Sequence, residues 1–174
     1  MKNVEEAAFF GDEVVYLFFL NAEEYLKLSK PIISSVHCFP IQNEEVLFTV
    51  NQRGLDIIGG HIEQGETPEQ ALIREAMEEA SIAIKEYTLL GAIRVDNREN
   101  TAAKNLGYPE IGYQLFYAVT DFHAYPFKAD FESIERRYVK FSEISLLHHH
   151  WLNTHDQILS EIKYLSKTNN KMKF

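Results

Sequence analysis

Apolar residues in this chain fall into short blocks that switch between two rhythms. Residues 13–20 are dense in Val, Tyr and Phe and predict a strand. Residues 32–41 and 45–50 are two more β-rich blocks, and Gln42-Asn43-Glu44 between them predicts a hairpin turn. A short strand is expected over 55–58, after which Gly59 and Gly60 break the pattern. β character returns over 82–95, 113–120 and 137–141, while 97–107 reads as a polar loop and 121–133 as irregular.

Helical spacing is expected over 22–28, over 67–80 and from Ser142 onward. The middle helix has the clearest start. Thr67 is an N-cap, Pro68 suits the first helical position, and Gln70 completes a capping box. Ala71, Leu72, Ala76 and Ala80 supply its apolar stripe. Near the C-terminus, Asn153 or Thr154 is expected to cap a helix with Ile158, Leu159, Ile162 and Leu165 on one face, and the tail 167–174 is expected to fray. Strands, one early helix, strands and then helices predict an α+β fold, a mixed β-sheet with helices packed on it. We read a single domain over 1–174, with its core at about 34–147, a β-rich N-terminal extension able to pair with a second copy in a homodimer, and a C-terminal helical segment.

Composition narrows the function. The chain is 45% apolar, enough for a packed core, and 26 Asp+Glu against 17 Lys+Arg give a net charge of −9. That balance argues against a nucleic-acid partner, which needs clustered cations. It leaves room for a small anionic substrate if divalent cations sit between. Cys38 is the one cysteine, so no intrachain disulfide forms, and a reducing cytoplasm is the simplest compartment. Flanked by His37 and Phe39, it reads as a core thiol. Residues 1–10 show no signal-peptide pattern, and the longest strongly apolar run, 14–20, is seven residues, so no membrane segment is expected.

The chemistry concentrates in Gly59-Gly60-His61-Ile62-Glu63-Gln64-Gly65-Glu66 and in Arg74-Glu75-Ala76-Met77-Glu78-Glu79. Glu75, Glu78 and Glu79 stand at i, i+3 and i+4, so their carboxylates share one helical face. Each like-charged pair at such spacing costs a helix roughly 0.2–0.5 kcal/mol. Arg74 precedes Glu78 by four and relieves part of that repulsion. Three convergent carboxylates suit a hard divalent cation, Mg²⁺ or Mn²⁺, and the glycines let the backbone approach it closely.

Gly60, five residues, Glu66, seven residues, then Arg74-Glu75-Ala76-Met77-Glu78-Glu79-Ala80-Ser81-Ile82 resembles the Nudix box of the Nudix hydrolases over 23 residues. Ser81 replaces the family's glycine, Ala76 is small for the apolar position, and Ile58 stands where a proline is frequent. The resemblance implies an α/β/α sandwich and Mg²⁺- or Mn²⁺-dependent hydrolysis of a nucleoside diphosphate linked to another moiety. It implies Glu75, Glu78 and Glu79 as metal ligands, with the Gly59 carbonyl added. It implies that Glu66 supports the metal shell and that Arg74 orients the glutamates. A further carboxylate outside the box, as general base or ligand, is expected from Asp130, Glu132, Glu135 or Glu110, with Glu132 favoured.

Other features have plainer roles beside the functional ones. His148-His149-His150 would point about 100° apart on a helix and is expected to be a solvated or partly packed helix end. His61 is a candidate for phosphate contact. Arg94, Arg98, Lys104, Tyr108 and Tyr113 are candidates for phosphate and base contacts. The rival functions are a nucleotide sensor that does not hydrolyse, whose mark would be a damaged box, and an isomerase of the same fold, for which Cys38 is poorly placed.

Overall fold

The computed structural model describes residues 5–168. In chain order its elements are β1 (Glu6–Phe10), β2 (Glu13–Asn21), α1 (Ala22–Leu26), β3 (Ile33–Gln42), β4 (Glu45–Asn51), β5 (Gly54–Asp56) and β6 (Ile58–His61). They continue with α2 (Pro68–Ala80), β7 (Ile82–Asp96), α3 (Thr101–Asn105), β8 (Ile111–Ala124), β9 (Glu135–Lys140), α4 (Ile144–Leu147) and α5 (Asn153–Thr168). Among the described residues the strands join in the order β1-β2-β7-β8-β3-β4-β5, with β6 paired to β3 and β9 to β4. The β3–β8 pair is parallel and its neighbours are antiparallel, so the sheet is mixed.

The period of two along the strands divides this sheet between two cores. Leu115, Tyr117 and Val119 of β8 turn to one side, with Ala71, Leu72, Ala76 and Ala80 of α2. Phe116 and Ala118 turn to the other, with Ile158, Leu159 and Ile162 of α5. The result is the expected sandwich of helices on both faces of a sheet. Cys38 is buried in the α2-side core, where the apolar surroundings raise its thiol pKa. No helix among the described residues is long and apolar enough to cross a membrane.

Local chemistry accounts for the helix starts. Gln70 N–H donates to Thr67 Oγ1 at 3.2 Å and Thr67 N–H donates to Gln70 Oε1 at 2.8 Å, closing the capping box of α2. The same helix ends on Ser81, which adopts φ 53°, ψ 45°. A left-handed residue is what the turn requires, and serine meets it at a cost glycine would avoid. Ser81 Oγ then accepts the Lys128 N–H at 3.2 Å, tying down the segment before β9. The β3–β4 hairpin turns through Asn43 and Glu44, both with positive φ.

Several expectations are corrected by the structure. Gly59 and Gly60 do not end a strand but lie within β6, facing His37 and Val36 of β3. Residues 97–107 hold the short helix α3, and β8 runs on to Ala124 through the region read as irregular. The start of α5 is not satisfied by the Asn153 or Thr154 side chain. The Glu6 carboxylate accepts the Asn153 and Thr154 N–H groups, both at 3.0 Å, from 147 and 148 residues away. The His148–His150 run does sit at a partly packed helix end, as expected: His148 is the C-cap of α4 and is buried with its ring stacked on His149, while His149 and His150 are exposed. The N-terminal segment pairs inside the chain, β1 with β2 and β2 with β7, and among the described residues no strand pairs with the outer edge of β1. The expected fraying of the tail falls, over 169–174, outside the described residues.

Candidate active site

The sharp turn from β6 into α2 brings backbone and carboxylates together. Gly59 has φ 152°, and a Cβ there would collide with the Val36 carbonyl and His37 Cα of β3. Its N–H donates to Glu79 Oε2 at 2.9 Å. A Cβ on Gly60 would run into the Glu75 carboxylate. Both glycines are therefore required by close approach: one to the neighbouring strand, the other to a glutamate of the helix.

Arg74 organises the carboxylates. Its Nε and Nη2 donate to the two oxygens of Glu66 at 2.7 and 2.9 Å, a bidentate pair. Nη1 donates to Glu75 Oε1 at 2.7 Å and to Glu78 Oε2 at 3.3 Å, and Nη2 also reaches the His61 carbonyl at 3.0 Å. The Arg74 hydrogen bonds, helped by the Glu63 N–H, hold the Glu66 carboxyl down to about 2. Arg74 itself is held more firmly protonated, chiefly by Glu66.

Glu79 has the opposite environment. Burial pushes it up to about 7; the Gly59 N–H pulls it down, while the charges of Glu75, Asp56 and Glu132 add to the rise. A carboxylate in such surroundings takes up either a proton or a cation. Among the described residues no group of three or more His, Cys, Asp or Glu side chains is already drawn together around a metal position. Arg74 explains this, since it holds Glu75 and Glu78 while Glu79 rests on Gly59. The donor set nevertheless fits a hard cation: three carboxylates on one helix face, one of them poorly compensated, with the Gly60 backbone leaving room beside Glu75.

Gly59, Gly60, Arg74, Glu75, Glu78 and Glu79 line a cleft of about 610 Å³, while Glu66 stands behind Arg74 and does not line it. Glu132 lies on its wall, whereas Asp130, Glu135 and Glu110 do not line it. His61 also lines it and meets Tyr108 Oη through Nε2 at 3.2 Å. The Arg94 and Arg98 guanidinium groups are committed to the buried Asp96, at 3.0 and 2.6 Å. Lys104 does not line the cleft, and the Tyr113 ring packs against Tyr25.

Sequence reasoning missed Asp56, His37, Arg53 and Gln114, all on the cleft wall. Burial raises the Asp56 pKa, but the His148 ring, the Asn51 amide at 2.9 Å and Arg53 at 3.1 Å outweigh it and hold the carboxyl down to about 2. His37 is half-buried and held down to about 4 by desolvation, hence neutral at pH 7, with Nε2 3.0 Å from Ser35 Oγ. One signal was available: Asp56 is a lone carboxylate inside the apolar run Leu55-Asp56-Ile57-Ile58. The others depend on how β3, β5 and β8 come together.

A β-sheet sandwiched by helices, with a glycine-flanked carboxylate helix opening on a cleft, defines a class of phosphoanhydride hydrolases. The NUDIX domain family model matches residues 31–162 of this chain, and the chain belongs to that family, whose members hydrolyse pyrophosphate bonds. Solved structures agree on the fold. The Bacillus subtilis pyrophosphohydrolase BsRppH, solved as a mutant, is 21% identical, covering 97% of this chain and 98% of its own, with a TM-score of 0.65. A NUDIX hydrolase from Nitrosomonas europaea is 22% identical over 78% of this chain and 90% of its own, with a TM-score of 0.59. An ADP compounds hydrolase is 14% identical over 99% of this chain and 98% of its own, also at 0.59. No curated protein sequence matches significantly.

Proposed function

We propose that this chain hydrolyses the pyrophosphate linkage of a nucleoside diphosphate joined to another moiety, with Mg²⁺ or Mn²⁺ bound. The observation that carries the reading is the Arg74-centred carboxylate cluster with the poorly compensated Glu79 beside Gly59. Glu75, Glu78, Glu79 and the Gly59 carbonyl would hold the cation, whose chemistry there would be charge neutralisation of the pyrophosphate and a lowered pKa for a nearby water.

The chain's own residues do the rest. Glu66 fixes Arg74 by its bidentate pair, and Arg74 sets the direction of Glu75 and Glu78. Glu132 takes the proton from the attacking water as the new P–O bond forms. The bridging P–O bond breaks, and the charge leaves on the departing phosphate. The intact set Glu75, Glu78 and Glu79 speaks against the rival reading of a sensor that binds without cleaving. The single buried Cys38 suits a cytoplasmic setting, and a homodimer would form on the outer edge of β1.

The test is a panel of ADP-ribose, nucleoside triphosphates, nucleotide sugars and dinucleotide polyphosphates, each with Mg²⁺ and with Mn²⁺. Release of a mononucleotide from at least one, abolished by a chelator, is expected. Tight binding with no product from any of them would replace hydrolysis with sensing.

A further inference from the structure

A second cavity of about 330 Å³ adjoins the catalytic cleft, and the two share His61 and Gln114 on their walls. Their chemistry differs sharply. The cleft is lined by acidic side chains and by Arg53 and Arg74. Among the described residues that line the second pocket there is no Asp, Glu, Lys or Arg. Its floor is aliphatic, with Val15, Leu17, Ile93 and Val95. Its rim is aromatic: Phe10 meets Tyr108 edge to face with centroids 5.6 Å apart, and Tyr108 lies 5.6 Å from the His61 ring. The aromatic row thus runs from the neutral pocket to the edge of the charged cleft.

A few polar groups interrupt the apolar lining. His155 Nδ1 accepts the Leu152 N–H at 3.1 Å, so the neutral ring carries its proton on Nε2, a donor. Asn97 donates its amide N–H to the Pro109 carbonyl at 2.9 Å, leaving its oxygen as an acceptor. The Gln114 amide offers both. A compact apolar pocket with a few fixed donors and acceptors suits a small planar ligand with hydrogen-bonding edges.

The wall is also built to stay in place. One side of it, Ala8, Phe9, Phe10, Val15 and Leu17, comes from the β1–β2 hairpin, which precedes the family-matched residues 31–162. Buried Asn100 clamps the hairpin turn by donating to the Phe10 and Glu13 carbonyls at 3.1 and 3.2 Å. Glu13 accepts the Thr101 and Ala102 N–H groups at the start of α3, and Glu6 accepts those at the start of α5.

We infer that this pocket is the subsite for the nucleobase of the substrate, with Phe10 and Tyr108 as the stacking surface and Asn97, Gln114 and His155 reading the base edge. The inference rests on the proposed hydrolysis of a nucleoside diphosphate derivative, because it divides that substrate between two cavities: pyrophosphate in the charged one, base in the neutral one.

Free nucleosides test it, since they carry no phosphate to engage the cleft. The uniformly labelled protein, free of divalent cations, is titrated with adenosine, guanosine, cytidine and uridine to millimolar concentration and followed by two-dimensional NMR. At least one nucleoside is expected to move the resonances of Ala8, Val95 and Ala103 saturably. Tyr108→Ala and Phe10→Ala, each checked for a cooperative melt, are expected to weaken that binding at least about fivefold, the lower bound for losing a base–aromatic stack. Three results would overturn the subsite: no shift with any nucleoside, shifts confined to the Arg53 and Phe131 end of the cleft, or less than that weakening in every folded variant. Hydrolysis is scored separately. Nucleoside binding here without turnover of any pyrophosphate derivative would sink the proposed reaction and leave the subsite standing, and turnover without such binding would do the reverse.

Discussion

Two adjoining cavities handle charge in opposite ways. In the acidic cleft Glu75, Glu78 and Glu79 face inward, and Arg74 balances Glu66, Glu75 and Glu78 from within the helix that carries two of them. In the neutral pocket the carboxylates stand behind the wall. Glu6 and Glu13 direct their charge to the N-termini of α5 and α3, where the exposed N–H groups favour an anion. The same residue type therefore makes one cavity acidic and the other merely firm. What decides between these uses is whether a carboxylate has a complete set of partners. Glu6 meets three N–H groups at 2.9 to 3.0 Å. Glu79 has one, and is only partly compensated.

The comparison breaks most visibly at Arg74. Arg74→Ala is expected to lower kcat/KM by about 10²-fold or more, because Glu75 and Glu78 lose the group that aims them. Nucleoside binding in the neutral pocket should change far less, because Arg74 reaches that pocket's wall only through the His61 carbonyl at 3.0 Å. Steady-state kinetics and the nucleoside titration check the two halves. A matching loss in both cavities would mean that they are one site.

Titration sharpens the contrast. Glu79 is held up to about 7 in the cation-free protein, and metal binding requires its ionised form. Below that value each bound cation must displace a proton, so apparent Mn²⁺ affinity should fall by about tenfold per pH unit and level off above it. Manganese binding measured by electron paramagnetic resonance across this range reads the slope. Glu79→Gln should flatten it. A slope unchanged in that variant would assign the proton elsewhere.

Smaller effects are expected behind the neutral wall. Glu6→Gln keeps a hydrogen-bond acceptor but removes the charge at the start of α5, costing about 1 kcal/mol in a denaturant melt. The cleft should retain its Mn²⁺ affinity. Ser81→Gly should change stability least, within about 0.5 kcal/mol: relief of the left-handed serine is offset by the lost bond to the Lys128 N–H and a more flexible unfolded chain. A loss well above that would show that the Ser81 anchor outweighs its backbone cost.

What was legible in the sequence follows the range of the interactions. The α2 capping box spans three residues, and the set Arg74, Glu75, Glu78 and Glu79 lies within two helical turns, so spacing alone exposes both. Glu66 joins them through one short loop. The neutral pocket was not legible, because it assembles β1, β2, β7, β8 and the segment before α5 from both ends of the chain. The cap of α5 was misread for the same reason. Asn153 and Thr154 are good local candidates, but a tertiary carboxylate from Glu6 reaches their N–H groups instead. The glycines were seen as a break because Gly59 and Gly60 carry no β propensity, yet pairing with β3 keeps them in a strand.

The α2 carboxylates are proposed to run a cation-dependent hydrolysis. Glu78→Gln and Glu79→Gln, assayed with Mn²⁺ on the best substrate of the panel, test it most directly. Mononucleotide release is expected to drop by about 10³-fold in each while the thermal melt stays cooperative. Release at the wild-type rate in both variants would contradict it.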